Sequence, residues 1–327
     1  LWVCVVLCLF AQPRTTQTQQ RRIVGSVGCV EETVQAQRQP GSAFKPLLYS
    51  AALANGLTPA SVINDAPVVF DAPALEVTWR PENYTGRFYG PTRMREALVN
   101  SRNLVSIRLL RQVGIDAARD HISRFGLPKD RLPRNLSLAL GSGVLSPLEL
   151  ARAYAVFANG GFLVDPFWMD AIESATGEPI AMPERSIGCL RCPGLDDASP
   201  AVPIEAPKFL GGPPDDPTRG PGIDTPIVKP APRVIEPENA WLMTSMMQDV
   251  VARGTARRAR SLGRTDLAGK TGTTNDENDS WFAGFNGQLV AVAWIGFDQM
   301  RPLGRGEAGG RAGAPWSSSA GHRAPCA

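Results

Sequence analysis

At 327 residues, 43% hydrophobic and 20% charged, the chain has room for one large domain or two ordinary ones around a real core. Its net charge of +3, with no basic run interleaved with aromatics, argues against nucleic acid as a partner. With only two histidines, His121 and His322, the composition also argues against a Ser-His-Asp triad or a histidine-based metal site.

Residues 1–10 (LWVCVVLCLF) are apolar but too few to span a bilayer, and read as the core of a signal peptide without its basic n-region. Residues 11–37 are polar, Gln-rich and irregular, so 1–34 are expected to be an irregular N-terminal segment. Structure begins at Arg38-Gln39-Pro40-Gly41-Ser42-Ala43-Phe44-Lys45-Pro46. Gly and Pro mark a tight turn into a helix over 42–54 that stops at Asn55-Gly56. Three residues apart on a helix, Ser42 and Lys45 share a face. A serine hydroxyl is a weak nucleophile until a neighbour takes its proton, and a lysine of lowered pKa can be that neighbour. Free N–H groups at a helix start also favour a developing oxyanion. A Ser with Lys three places on occurs by chance about once in a chain of this length, so the pair alone is a weak signal.

Residues 56–90 hold turn formers and short β-prone pieces around 68–70 and 76–79. Helical patterns follow at 92–99, 104–113 and 116–125, with His121 in a structural role, and Ser101-Arg102-Asn103 breaks the first two. Ser146-Pro147-Leu148-Glu149 opens the next helix with a capping box and Pro at the first position, and Asn159-Gly160-Gly161 closes it. Residues 178–235 are Pro/Gly-rich and aperiodic, a long insertion. Within it Cys189 and Cys192 have metal or redox spacing, but no second pair accompanies them, so a plain loop or incidental disulfide is expected. A helix over 237–253 carries Trp241, Met243, Met246, Met247 and Val250 as a core face. Three antiparallel strands follow, at 267–274, 280–285 and 289–297; Asn286-Gly287 is a hairpin signal, and the last strand is apolar enough for the sheet interior. Residues 312–327 read as an irregular tail.

The stretch Gly269-Lys270-Thr271-Gly272-Thr273-Thr274 is far more specific. Lys and hydroxyls on a strand suit a substrate carboxylate, and Gly272 leaves room for a ligand backbone along the strand edge. At Ser101 and Asn103, a hydroxyl able to relay a proton stands beside an amide able to bind a carbonyl. The order Ser42/Lys45, Ser101/Asn103, Lys270–Thr273 is the signature shared by class A β-lactamases and penicillin-binding proteins. Further stretches also look like the latter: Met94-Arg95-Glu96-Ala97-Leu98, Ala151-Arg152-Ala153-Tyr154-Ala155, Ala158-Asn159-Gly160-Gly161 and Asp279-Ser280-Trp281-Phe282-Ala283-Gly284.

On these residues the sequence resembles the transpeptidase domain of class A, bifunctional, 1A-type penicillin-binding proteins, over 35–311. The resemblance implies an α/β (α+β) fold of β-lactamase/transpeptidase type, an antiparallel sheet flanked by a helical subdomain. It implies Ser42 as nucleophile, Lys45 as its base and Ser101 as proton relay. Asn103, Lys270, Thr271, Gly272 and Thr273 would bind the substrate, with backbone N–H groups of Ser42 and Thr273 as oxyanion hole. The activity implied is D,D-transpeptidation of peptidoglycan stem peptides through an acyl-enzyme, blocked by β-lactam antibiotics, without metal or cofactor, on the periplasmic side of the bacterial inner membrane. A β-lactamase is disfavoured, because the middle motif reads Ser-Arg-Asn and no deacylating-Glu loop is visible.

The flanks depart from the family pattern. Two strands precede the nucleophile helix in that fold, and 1–34 do not look like them. The chain is therefore expected to be a fragment, out of register at both ends, without glycosyltransferase domain or anchor. The alternative reading is an inert remnant, or a non-catalytic β-lactam- or peptide-binding module.

Overall fold

The computed structural model describes residues 2–9, 34–68, 70–72, 77–167, 172–174, 179–181, 185–188, 228–274, 277–297 and 299–303. The Cys189/Cys192 pair, most of the 178–235 segment and the tail beyond 311 lie outside the described residues.

In chain order the strands are β1 (Trp2–Leu9), β2 (Val62–Asp65), β3 (Phe70–Ala72), β4 (Val77–Trp79), β5 (Gly90–Arg93), β6 (Ile172–Glu173), β7 (Pro179–Ala181), β8 (Arg185–Ile187), β9 (Val228–Pro230), β10 (Ala268–Thr273), β11 (Ser280–Phe285) and β12 (Leu289–Gly296). The helices are α1 (Lys45–Ala54), α2 (Met94–Val99), α3 (Asn103–Val113), α4 (Ile115–Ser123), α5 (Pro147–Ala158) and α6 (Pro237–Arg253).

The principal sheet is antiparallel throughout, in the order β1-β12-β11-β10. The predicted hairpin joins β11 to β12: Asn286 N donates to Leu289 O at 2.9 Å, and Asn286 Oδ1 accepts from Gln288 N and Leu289 N. Helix α5 packs on β1, β11 and β12, and α6 packs on β10. The capping box of α5 is formed, Ser146 accepting from Glu149 N while Glu149 accepts from Ser146 N.

The helical side is built around α1. Its residues from Lys45 to Ala52 are all buried. A helix apolar on every side belongs at the centre of its neighbours, and α1 touches α2, α3, α4 and α6. Tyr154 of α5 reaches back, donating to Ala43 O at 2.7 Å, so the sheet's covering helix also pins the turn before α1.

Two expectations are corrected. Residues 2–9 are an edge strand of the main sheet, from Trp2 opposite Gly296 to Leu9 opposite Leu289, rather than part of an irregular segment or a signal-peptide core. This leaves β12 flanked on both sides, which explains why that strand is apolar throughout. Trp241 does not join the core face of α6. It is 69% exposed, whereas Met243, Met246, Met247 and Val250 are fully buried.

Candidate active site

The turn that carries Ser42 is seated directly on the sheet. Residues Gly41–Phe44 form one 3-10 turn, and the α-helix proper starts at Lys45, three residues later than the sequence suggests. Gly41 has φ +54°, and a Cβ there would lie 2.4 Å from Thr273 O. Only glycine meets both demands. The same closeness brings the end of β10 against the residue preceding Ser42, which is half-buried at the head of the turn.

Lys45 is fully buried. Its Nζ donates to Ser101 O at 2.8 Å, to Ser101 Oγ at 3.2 Å and to Asn103 Oδ1 at 2.7 Å. Ser101 sits in the short break between α2 and α3 with φ +56°, left-handed backbone that a non-glycine residue adopts at a cost. That conformation turns both its carbonyl and its hydroxyl toward Lys45. From the other side Lys270, also fully buried, donates to Ser101 Oγ at 3.0 Å and to Thr271 O at 2.9 Å. One hydroxyl thus stands between two lysine nitrogens carried by α1 and β10.

Two ammonium groups sharing one part-buried hydroxyl are a strained arrangement. Burial holds the Lys45 amine well below the usual lysine range; the neighbouring charges of Lys270 and Arg102 lower it further, and Asp65 opposes them. Burial brings Lys270 down to about 7. The two sites titrate as a coupled set. Burial disfavours two ammonium groups here, and Lys45, which also feels the charges of Lys270 and Arg102, is pushed toward the neutral form that can accept a proton.

The remaining predicted residues fall into different roles. Asn103 offers Oδ1 to Lys45, while its Nδ2 donates to Glu82 O at 2.8 Å. Thr271 is buried and shares a 2.7 Å hydrogen bond with the Thr255 hydroxyl. Thr273, the last residue of β10, is opposite Ser280 and against Gly41. Gly272 corrects the expectation that it leaves room for a ligand: a Cβ there would lie 2.3 Å from Pro40 O and 3.0 Å from Ala43 Cβ. The space is filled by the turn at residues 40–43, and the glycine lets β10 and that turn touch.

Three residues escaped the sequence reading. Thr255 follows the glycine that ends α6 and is exposed beside Thr271; Val99 O, at the end of α2, accepts from its N–H. Asp65 and Asn83 lie behind Asn103, both buried. None carries a local sequence signal, because each contact joins segments far apart in the chain.

An antiparallel sheet with a Ser-Lys turn docked on a Lys-Thr-Gly strand, covered by a helical subdomain, defines the β-lactamase-like α/β class. Within that class, the family model of the penicillin binding protein transpeptidase domain matches residues 6–295, and the chain belongs to this family. The match begins inside β1, so the N-terminal departure expected from the sequence does not hold from residue 6 on. The chain is 47% identical over 288 residues to penicillin-binding protein 1A of Pseudomonas aeruginosa, covering 86% of this chain and 35% of that protein. To penicillin-binding protein 1A of Neisseria gonorrhoeae it is 42% identical over 283 residues, covering 86% of this chain and 31% of that one. It thus spans about a third of the length of these curated relatives. Among solved structures, penicillin-binding protein 1A from Haemophilus influenzae superposes with a TM-score of 0.75 at 36% identity, covering 89% of this chain and 42% of that chain. The Mycobacterium tuberculosis protein PonA1, solved in complex with penicillin V, shares the fold at a TM-score of 0.65 and 21% identity, covering 90% of this chain and 71% of that chain.

Proposed function

We propose that this chain is the crosslinking part of a cell-wall synthase, a serine D,D-transpeptidase acting on peptidoglycan stem peptides that end in D-Ala-D-Ala. The observation that carries this reading is the Ser101 hydroxyl, held 3.2 Å from Lys45 Nζ and 3.0 Å from Lys270 Nζ. Neutral Lys45 takes the Ser42 proton as Oγ attacks the penultimate D-Ala carbonyl. Backbone N–H groups of Ser42 and Thr273 hold the oxyanion. Collapse breaks the peptide bond; the terminal D-Ala leaves as an amine after receiving a proton through Ser101, and its carboxylate is held by Lys270, Thr271 and Thr273. The Ser42 ester then passes its acyl group to an amine of a second stem peptide, and the nucleophile is restored. A β-lactam, a cyclic amide with a carboxylate, enters the same path and stops at the ester. The fold relative solved with penicillin V supports this part of the reading.

The excess of cationic over anionic groups at Lys45 favours an enzyme over an inert remnant, since a pure binding module has no use for a lysine kept neutral. The enzyme works outside the inner membrane, where its substrate is; among the described residues no helix is long and apolar enough to cross a membrane. The test is release of D-alanine from a synthetic stem peptide ending in D-Ala-D-Ala. Release by the unmodified chain and none by Ser42→Ala is the expected result. Equal release by both would overturn the assignment of Ser42.

A further inference from the structure

Behind the site lies a second polar layer that the mechanism above does not use. Asp65, the last residue of β2, is fully buried. Its two carboxylate oxygens accept from Asn83 Nδ2 at 2.8 and 2.9 Å. Asn83, 4% exposed, also donates from Nδ2 to Arg87 O at 2.9 Å, and its Oδ1 accepts from Asn103 N at 2.8 Å. Asn103 Oδ1 then accepts from Lys45 Nζ at 2.7 Å. Every step has a fixed direction. An ionised carboxylate only accepts, so Asn83 must turn its Nδ2 to Asp65 and its Oδ1 to Asn103. With its N–H fixed by Asn83 and its Nδ2 by Glu82 O, Asn103 must turn its Oδ1 to the lysine.

The charges point the same way. The groups acting on Lys45 are Lys270 on β10, Arg102 in the break before α3, and Asp65 on β2. Of these three only Asp65 favours the ammonium form. Facing Asp65 in turn are Arg102, whose Nε is 4.0 Å from Oδ2, and the α1 residue Tyr49. Arg102 is held by stacking on the Tyr89 ring, 3.3 Å from its centroid. Burying a carboxylate costs several kcal/mol that one long contact to Arg102 offsets only in part, and a neutral amide would fill the same space more cheaply.

We propose that Asp65 and Asn83 are positioning residues of the acylation site: together they hold the backbone N–H of Asn103 at the start of α3, from which its side chain reaches Lys45, and Asp65 supplies a counter-charge to Lys45. This deepens the acyl-transfer reading and rests on it. It adds two residues to the working site, with separable duties. Asn83 carries orientation, and Asp65 carries orientation and charge.

The test is the pH dependence of acylation by a labelled penicillin, measured on this chain and on Asp65→Asn and Asn83→Ala, each first shown to unfold cooperatively. Asp65→Asn keeps one of the two acceptors that Asn83 meets, exchanges the other for an NH2 group and removes the charge. The acid limb of its rate profile should move to lower pH, so that well below neutrality it retains a severalfold larger share of its own plateau rate than the unmodified chain does. Asn83→Ala should lower the rate about tenfold at every pH and leave the limb where it was. ¹³C resonances of Lys45 provide a second readout, with a titration midpoint lower in Asp65→Asn and unchanged in Asn83→Ala. A limb and a midpoint that stay put in Asp65→Asn overturn the charge role. An unchanged rate in Asn83→Ala overturns the relay, and decides alone if Asp65→Asn does not fold. Absence of acylation in the unmodified chain sinks the acyl-transfer reading itself, and this inference with it.

Discussion

Helix α1 carries two buried polar clusters, little more than a turn apart, built on opposite rules. The deeper one joins Ser50, His121 and Asn239: Ser50 Oγ pairs with His121 Nε2 at 2.9 Å and donates to Asn239 Oδ1 at 2.8 Å, and Asn239 Nδ2 donates to Ser50 O at 2.9 Å. It contains a serine and a histidine in contact, yet it is neutral, matched donor for acceptor, and closed off in the helical core. Burial and then the nearby Arg124 bring His121 down to about 4. The Lys45 cluster inverts each property. It holds two buried lysines around one hydroxyl, on a serine with left-handed backbone. A Ser-His contact is therefore a poor guide to chemistry here. Unbalanced charge beside an accessible hydroxyl is the better one.

Substitutions can break this contrast. The largest effect belongs to Lys45→Met, which keeps the stem and removes the base; acylation should slow on the order of 10²–10⁴-fold, the share of a general base. Stopped-flow labelling reads it, and a loss below tenfold would remove Lys45 from that role. Next is the stability profile. Lys270 has a folded pKa of about 7 against 10.5 for a free lysine, so the folded state binds fewer protons than the unfolded state between those values. Stability should therefore rise with pH across that window, and Lys270→Met should flatten the rise. Denaturant midpoints at pH 7 and 9.5 check this, and an unchanged slope would contradict it.

The neutral cluster answers on the acid side. The folded pKa of His121, about 4, lies below the ordinary 6.5, so the unfolded chain takes up the proton first as pH falls. Stability attributable to His121 is intact above 6.5 and is lost down to about 4, amounting to at most roughly 3 kcal/mol. His121→Gln should remove this acid sensitivity while leaving the pH profile of acylation in place. The smallest effect belongs to Thr255→Val, which deprives Thr271 of its hydroxyl partner. A loss of about 1 kcal/mol, or severalfold in acylation efficiency, is expected, with the folded stability nearly unchanged.

Much of the architecture was legible because its signals are local. The capping box at Ser146, the Asn286-Gly287 hairpin and the bounds of α6 are each set by residues within a few positions. Three short motifs single out the candidate residues, although nothing local says that Lys45, Ser101 and Lys270 meet. What stayed hidden is long-range. Strand β1 is defined by a partner some 280 residues away, and an isolated apolar run of that length suits a leader as well as a strand. Gly272 was misread because the side chain it lacks would collide with a turn from another part of the chain. Asp65 and Asn83 look like loop residues until Asn103 is folded against them.

Direct detection of the covalent species bears hardest on all of this. Intact-mass measurement after incubation with penicillin, followed by peptide mapping, should give one adduct of the full antibiotic mass on the peptide holding Ser42, and none in Ser42→Ala. Folded protein that gains no mass, or an adduct mapping to any other residue, would contradict the account.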